Sequence, residues 1–198
     1  MGLEFYKANK RVTGAGANVN FDSKGKALYI SMVKQSAWNE QAGQGVFKDG
    51  AKVNCKFSVG EIGAIIDAIQ TNRTFKAFHD GGDQITQIEF APYMTGENKD
   101  VQAGYGLRIH KTDSQDSTKK ESFQIGFNFG EGVALMEYLK FSLTHIFSAI
   151  YAADKKAYDD AQKKKSEAAA KPAGKAAEKA APAKEEASAA SGDDELPM

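Results

Sequence analysis

The sequence has 198 residues, which allows one domain of ordinary size and an appendage. It contains 26 basic and 26 acidic residues, and its single cysteine excludes both a disulfide framework and a cysteine-rich zinc site. No apolar stretch reaches the length of about 18 residues that a membrane span needs, and the first residues lack the apolar core of a signal peptide, so we expect a soluble protein of a reducing compartment.

The net charge of zero conceals an uneven distribution along the chain. Residues 1–60 carry 9 basic and 4 acidic side chains, whereas residues 61–154 carry 8 basic and 13 acidic side chains. Because anions are attracted to the basic part of a protein, we expect any anion-binding surface mainly in the first 60 residues.

The first half of the chain predicts four strands and a helix. Strands are expected over 3–12, 25–35, 46–47 and 52–57, with a turn at 48–50. The glycine-containing runs at 14–16 and 43–45 match neither a P-loop nor a dinucleotide fingerprint and are interpreted as loops. Ser58 and Glu61 then have the spacing of a capping box, and isoleucines at helical spacing follow them.

The second half repeats this plan. The segment FNFGEGVALMEYL (127–139) aligns without a gap with FSVGEIGAIIDAI (57–69), and Asn128 with Glu131 repeats the capping arrangement. Strands are expected over 74–79, 84–92, 104–111 and 121–128, before a longer second helix. The predicted fold class is therefore α+β, with four strands and a helix (ββββα) repeated twice. Each antiparallel sheet is expected to turn one face to a shared core and to leave the other face free.

The composition changes sharply near residue 160. Residues 163–192 contain no Val, Ile, Leu or aromatic residue, so they have no apolar surface to offset the entropy of ordering. We expect a globular domain over 1–160, a disordered Ala/Lys/Glu/Pro linker over 161–192 and an acidic tip over 193–198. The tip places acids before an apolar end, a pattern that suits a protein partner, although a plain solubilising tail is the alternative. Its residues are Asp193, Asp194, Glu195, Leu196, Pro197 and Met198.

The sequence offers no support for catalysis. His79, His110 and His145 have no metal-ligand spacing, and Cys55 lies in an alternating strand where a buried thiol is expected. Asp113 and Asp116 lie in a polar loop typical of solvated charge. We therefore expect no enzyme, no metal and no cofactor.

The first 60 residues interleave cations with aromatic rings. A single nucleic-acid strand needs cations that follow its phosphates and rings that stack on its exposed bases. The alternative is that Phe5, Phe21 and Phe47 are core residues and that the lysines form a solvated face. The candidate binding residues are Tyr6, Lys7, Lys10, Lys24, Lys26, Tyr29, Lys34, Trp38, Lys52 and Lys56.

Several motifs resemble the Whirly family of single-stranded-DNA-binding proteins. KFSVGEIGAIIDAI (56–69) followed by FKAFHD (75–80) resembles the strand, the helix start and the next strand of that family. KGKAL (24–28) matches its signature pentapeptide, and ALMEYLKFSLTHIF (134–147) is similar to its last helix. The resemblance implies two roughly perpendicular four-stranded antiparallel sheets held by helices, a homotetramer, and binding of single-stranded DNA with little sequence preference.

The acidic tip resembles the C-terminal tips of bacterial single-stranded-DNA-binding (SSB) proteins, which recruit replication and repair partners. Together the two resemblances imply a protein of replication, recombination or repair in the cytoplasm of a bacterial or phage-infected cell, associated with the nucleoid. An RNA-binding or transcription-regulating protein of the same fold group is the first alternative, and a scaffold that binds no nucleic acid is the second.

Overall fold

The computed structural model describes residues 2–22, 26–98, 100–116 and 118–169. The chain divides into two units, Met1–Ala157 and Tyr158–Met198. The first unit holds ten strands, a first helix and most of a second helix, whereas the described residues of the second unit continue that second helix. Within the described residues, no helix is both long and apolar enough to cross a membrane.

The first four-stranded sheet, sheet 1, comes entirely from the first 57 residues. Its strand order is β1-β2-β3-β6, every pair is antiparallel, and a small hairpin, β4–β5, lies between β3 and β6 in the chain. The strands are β1 (Leu3–Lys7), β2 (Ala15–Phe21), β3 (Leu28–Lys34), β4 (Ala37–Asn39), β5 (Gln44–Val46) and β6 (Lys52–Phe57).

Sheet 1 differs from the predicted strands in its second strand. The sequence predicts one strand over 3–12 and a loop over 14–16, but β1 ends at Lys7 and β2 begins at Ala15. Glycine, alanine and asparagine have low strand propensity, so AGANVNF gives little local signal. The hydrogen bonds to β1 and β3 on both sides hold these residues extended, because tertiary pairing outweighs local propensity.

The turn before β6 forms where it was expected. Gly50 N–H donates to the carbonyl of Phe47, over 3.2 Å. A Cβ at Gly50 would lie 1.7 Å from the carbonyl oxygen of Lys34, so this position requires glycine because the backbone of β3 passes so close to it. The short strand expected at 46–47 is replaced by β5, which pairs with β4.

The second four-stranded sheet, sheet 2, follows the predicted elements closely. Its order is β10-β9-β8-β7, again antiparallel throughout, with a register shift between Tyr93 and Met94. The two middle strands are longer than the sequence pattern predicts. The strands are β7 (Phe75–Asp80), β8 (Gln84–Thr95), β9 (Val101–Asp113) and β10 (Lys120–Phe127).

Both helices begin at the predicted capping boxes. In α1 (Val59–Thr71), the N–H of Glu61 donates to Ser58 Oγ, and the Glu61 carboxylate accepts from the N–H of Ser58. In α2 (Phe129–Ala169), Asn128 and Glu131 exchange the same two hydrogen bonds. The internal repeat is therefore real at the level of structure. A helix cap of this kind contributes about 1 kcal/mol.

Helix α2 continues nine residues past the domain end predicted at residue 160. Alanine, lysine and glutamate, which make up much of 161–169, are good helix formers, and a helix that already exists extends through such residues at little cost. The rest of the predicted linker, 170–192, and the tip, 193–198, lie outside the described residues.

One core holds the two sheets and both helices together. Phe5 of sheet 1 meets Phe127 of sheet 2 edge to face, with ring centroids 4.9 Å apart. The alternating apolar faces of both sheets contribute to this core, and the outer face of each sheet is the one that points away from it. A small internal void is lined by residues of both sheets and both helices: Ala17, Val19, Ile30, Ile65, Phe90, Leu107, Phe127, Leu135 and Leu139.

Candidate nucleic-acid interface

The face of sheet 1 that points away from the core carries two rings and two cations of the predicted set. The register aligns its side chains in three rows that cross the four strands. The first row is Tyr6, Gly16, Val33 and Lys52; the second is Glu4, Asn18, Ser31 and Asn54; the third is Asn20, Tyr29 and Lys56. We call these eleven residues the outer face of sheet 1.

The ring of Tyr6 lies over a gap in this face. Its side chain is 60% exposed, and a Cβ at Gly16 would lie 3.0 Å from the ring, so a glycine leaves the room that the ring occupies. Phe47 supports Tyr6 from the side, with centroids 5.5 Å apart in an edge-on arrangement. The hollow beside Tyr6 has a volume of about 420 Å³ and reaches Lys52 across the sheet. A flat, supported and exposed ring is what base stacking requires.

The two lysines of this face lie on the edge strand β6. Lys52 and Lys56 are exposed and are separated by four residues of a strand, which corresponds to about 13 Å. The apolar side chains between them, Val53 and Cys55, point into the core. The edge of the sheet therefore presents two positive charges on the same side as the rings of Tyr6 and Tyr29, the latter half-buried.

The middle row holds the carboxylate of Glu4 and three uncharged polar side chains. Ser31 Oγ donates to Asn54 Oδ1 over 3.0 Å, and Asn18 Nδ2 donates to Glu4 Oε1 over 2.7 Å. The second hydrogen bond satisfies part of the one carboxylate on this face. Asn54 Nδ2 makes no hydrogen bond within the described residues, so this row offers a donor between Lys52 and Lys56.

Two of the predicted lysines lie elsewhere. Lys7 alternates with Tyr6 along β1, points away from the outer face, and forms an ion pair with Glu131 at the start of α2. Lys34 lies over the ring of Phe123 in sheet 2, with Nζ 4.8 Å from the ring centroid. Both cations make contacts inside the first unit, so neither lies on the outer face of sheet 1.

The remaining predicted residues lie in loops or in the small hairpin. Lys10 and Lys26 are exposed in loops, and the backbone N–H of Lys26 donates to Asp22. Trp38 is half-buried in β4, and its Nε1 is a buried atom with no hydrogen-bond partner within the described residues. Lys24 and the tip 193–198 lie outside the described residues. Of the aromatic residues set aside as core, Phe5 is buried, whereas Phe21 and Phe47 are half-buried.

A second hollow is a poorer candidate. Its volume is about 620 Å³, and it lies between the β1–β2 loop and sheet 2, where Asn9, Tyr93 and Gln124 line it. Lys7 is the one cation among its lining residues, and that charge is already neutralised by Glu131. The hollow therefore lacks a free positive charge for a phosphate.

The cysteine has polar neighbours that sequence reasoning missed. Cys55 Sγ lies 3.7 Å from His79 Nδ1, and His79 Nε2 lies 2.5 Å from Glu61 Oε1, the capping residue of α1. Burial raises the pKa of Cys55 to about 11, so the thiol is protonated at neutral pH. A protonated, buried thiol is a poor nucleophile. The expectation that this thiol is buried is confirmed.

The sequence analysis also missed four polar residues of the outer face: Asn18, Asn20, Ser31 and Asn54. Asn54 could have been identified from the sequence, because KVNCKF alternates strictly and places residues 52, 54 and 56 on one side. Asn18 and Asn20 could not have been identified, because β2 gives little strand signal of its own.

Comparison with known proteins identifies the fold. No protein-family model matches the sequence, and no curated protein compared with it matches either. Three solved plant structures are similar in fold. WHY3 from Arabidopsis thaliana has a TM-score of 0.55 and 16% identity over 78% of this chain and 92% of its own. WHY1 from Arabidopsis thaliana has a TM-score of 0.55 and 16% identity over 79% of this chain and 92% of its own. The plant transcriptional regulator PBF-2 has a TM-score of 0.54 and 15% identity over 78% of this chain and 86% of its own. The chain therefore has the Whirly fold, which confirms at the level of the fold the resemblance that its motifs carry.

Proposed function

We propose that this chain binds single-stranded DNA with little sequence preference, through the outer face of sheet 1. One observation supports the proposal above the others: the register brings Tyr6, Tyr29, Lys52 and Lys56 to the same side of one sheet. Rings that accept any base and lysines that contact phosphates give affinity without reading sequence.

The free energies of stacking and of phosphate contacts predict a moderate affinity of each protomer for single-stranded DNA. Stacking is worth roughly 1–3 kcal/mol per base, and each phosphate that a lysine neutralises adds a term that depends on salt. Two rings and two lysines therefore suffice for a contact with a few nucleotides. Coating of a long strand then requires several chains side by side.

The direct test is titration of a fluorescent thymidine oligonucleotide at several salt concentrations. The proposal predicts binding that weakens steeply as salt rises, because the released counterions return to the phosphates. A duplex of the same length is the control, since its bases are paired and cannot stack on Tyr6 or Tyr29. Absence of binding at low salt, or equal affinity for the duplex, would contradict the proposal and would favour a scaffold.

RNA binding or transcription regulation is the second candidate. It is favoured by the similarity in fold to PBF-2, which is described as a plant transcriptional regulator. The same assay separates the candidates when DNA, RNA and duplex of one sequence are compared at fixed salt. Preference for RNA, or for one duplex sequence over others, would favour the second candidate.

We also propose a homotetramer, for which α2 offers a surface. One side of α2 packs into the core through Leu135, Leu139 and Ile146, while other apolar side chains of the same helix are exposed. Val133 is 53%, Phe141 57%, Phe147 54% and Tyr151 70% exposed. Light scattering is expected to give the mass of four chains, and Phe147→Asp is expected to lower it. The same change at the exposed Gln70 of α1 serves as the control.

We further propose that the tip 193–198 recruits replication, recombination or repair proteins in a bacterial or phage-infected cell, at the nucleoid in the cytoplasm. The support is the sequence of the tip, with three acids before Leu196, Pro197 and Met198. Deletion of 193–198 should leave DNA affinity equal or higher, because negative charge is removed, and should abolish capture of partners. A chain with a scrambled tip of the same composition is the control, and weaker DNA binding after deletion would contradict this division of roles.

A further inference from the structure

The outer face of sheet 2 carries a second pair of exposed rings that the proposed function does not use. Phe78 on β7 pairs with Gln87 on β8, and Gln87 pairs with His110 on β9, so all three lie in one row. Phe78 is 59% exposed, and Gln87 and His110 are exposed as well. We call these three residues the sheet 2 slot.

The spacing of the sheet 2 slot leaves room for one flat ring and not for two. Neighbouring strands lie about 4.8 Å apart, so the Cα atoms of Phe78 and His110, two strands apart, are separated by about 9.5 Å. Side chains stand roughly perpendicular to a sheet. A nucleobase in contact with a ring on each side needs about 7 Å between those rings, twice the contact distance of about 3.5 Å. The hollow between the two side chains has a volume of about 320 Å³.

The floor and the flank of the slot match the rest of a nucleotide. The amide of Gln87 forms no hydrogen bond within the described residues, and it carries both a donor and an acceptor for the edge of a base. The next row holds Lys76 and Arg108, with Glu89 between them, 3.5 Å from Lys76 and 3.2 Å from Arg108. One carboxylate between two cations leaves one positive charge, which suits a single phosphate.

We propose that the sheet 2 slot holds one unpaired nucleobase between Phe78 and His110, as a second contact for the strand on the opposite side of the protomer. This inference rests on the proposed function. It adds that each protomer touches single-stranded DNA at two separate faces, because the outer face of each sheet points away from the shared core.

The experiment combines an affinity measurement with a map of the contact. A thymidine oligonucleotide containing 5-iodouracil is cross-linked by light to the full chain, and mass spectrometry locates the attached residues. The affinity of the chain is compared with that of Phe78→Leu, which keeps an apolar side chain and removes the ring. Phe78→Tyr keeps the ring, and Val101→Ala changes an exposed apolar residue at the far end of the same sheet.

The inference predicts a cross-link at Phe78 or His110, and a loss of affinity of roughly 5- to 160-fold for Phe78→Leu, the range of one stacked base. The variants Phe78→Tyr and Val101→Ala should bind like the unchanged chain. Cross-links confined to sheet 1, with Phe78→Leu unchanged in affinity, would overturn the inference and leave the proposed function intact. No binding by the unchanged chain would overturn both.

Discussion

Removal of the two exposed lysines of β6 is the perturbation whose effect can be worked out most fully. The double variant Lys52→Gln and Lys56→Gln deletes both positive charges from the outer face of sheet 1 and keeps the length and polarity of the side chains. Both lysines are exposed and neither forms an ion pair within the described residues, so the fold should be unaffected.

The expected magnitude follows from counterion release. For a single strand, each neutralised phosphate contributes about −0.7 to the slope of log affinity against log salt, so the loss of two contacts makes the slope shallower by about 1.4. If both chains bind equally at about 1 M salt, the variant binds about 25-fold more weakly at about 0.1 M. Stacking on the rings is not removed, so a residual affinity with weak salt dependence should remain.

The assay is fluorescence anisotropy with a short thymidine oligonucleotide, repeated at several salt concentrations. The matched control is Lys155→Gln with Lys156→Gln, which makes the same charge change at exposed positions of α2. An unchanged slope for the β6 variant, or an equal change for the α2 variant, would refute the argument, because the lysines would then act only through net charge.

Three further results are expected. Tyr6→Leu should weaken DNA binding by roughly 5- to 160-fold and Tyr6→Phe should not, as measured by anisotropy; an unchanged affinity of Tyr6→Leu would show that the ring does not stack on a base. Burial by itself raises the pKa of Glu61, but hydrogen bonds from Ser58 and His79 outweigh it and lower the pKa below the usual 4.5. The stability that this carboxylate supplies is therefore present above about pH 4.5 and is lost as the pH falls through the lowered pKa. In urea unfolding, Glu61→Gln should thus show a smaller loss of stability on acidification, and an identical loss would contradict this. Leu139→Ala, at a fully buried position, should reduce the free energy of unfolding by about 2–5 kcal/mol. A loss below about 1 kcal/mol would show that the core around Leu139 is not tightly packed.

The two helix starts could be predicted from sequence because their signals are local. A capping box needs only residues three apart, and both Ser58–Glu61 and Asn128–Glu131 form as expected. The alternation of Phe123, Ile125 and Phe127 in β10 is likewise a local pattern, and all three residues are buried. Signals of this kind do not depend on the rest of the fold.

The second strand and the positions of Lys7 and Lys34 could not be predicted, because their causes lie far along the chain. The strand β2 is held by β1 and β3 and not by its own residues. Lys7 is drawn to Glu131, which is 124 residues away, and Lys34 to Phe123 in the other sheet. A candidate list built from residue type alone cannot tell a lysine on an open face from one that links two layers.

The sheet 2 slot could not be predicted from the sequence either, because it depends on long-range pairing. Phe78, Gln87 and His110 align only because β7, β8 and β9 adopt one particular register. A slip of one residue would move each side chain to the other face. The sequence shows that both rings are present, but it does not show that they lie in the same row of the sheet.

Lysine footprinting tests most directly whether the outer face of sheet 1 holds the strand. The full chain is treated with an acetylating reagent with and without a saturating thymidine oligonucleotide, and mass spectrometry gives the reaction rate of each lysine. We predict that Lys52 and Lys56 become protected, while Lys155 and Lys156 react at the same rate as before. Equal reactivity of Lys52 and Lys56 in the free and the DNA-bound chain would contradict the account.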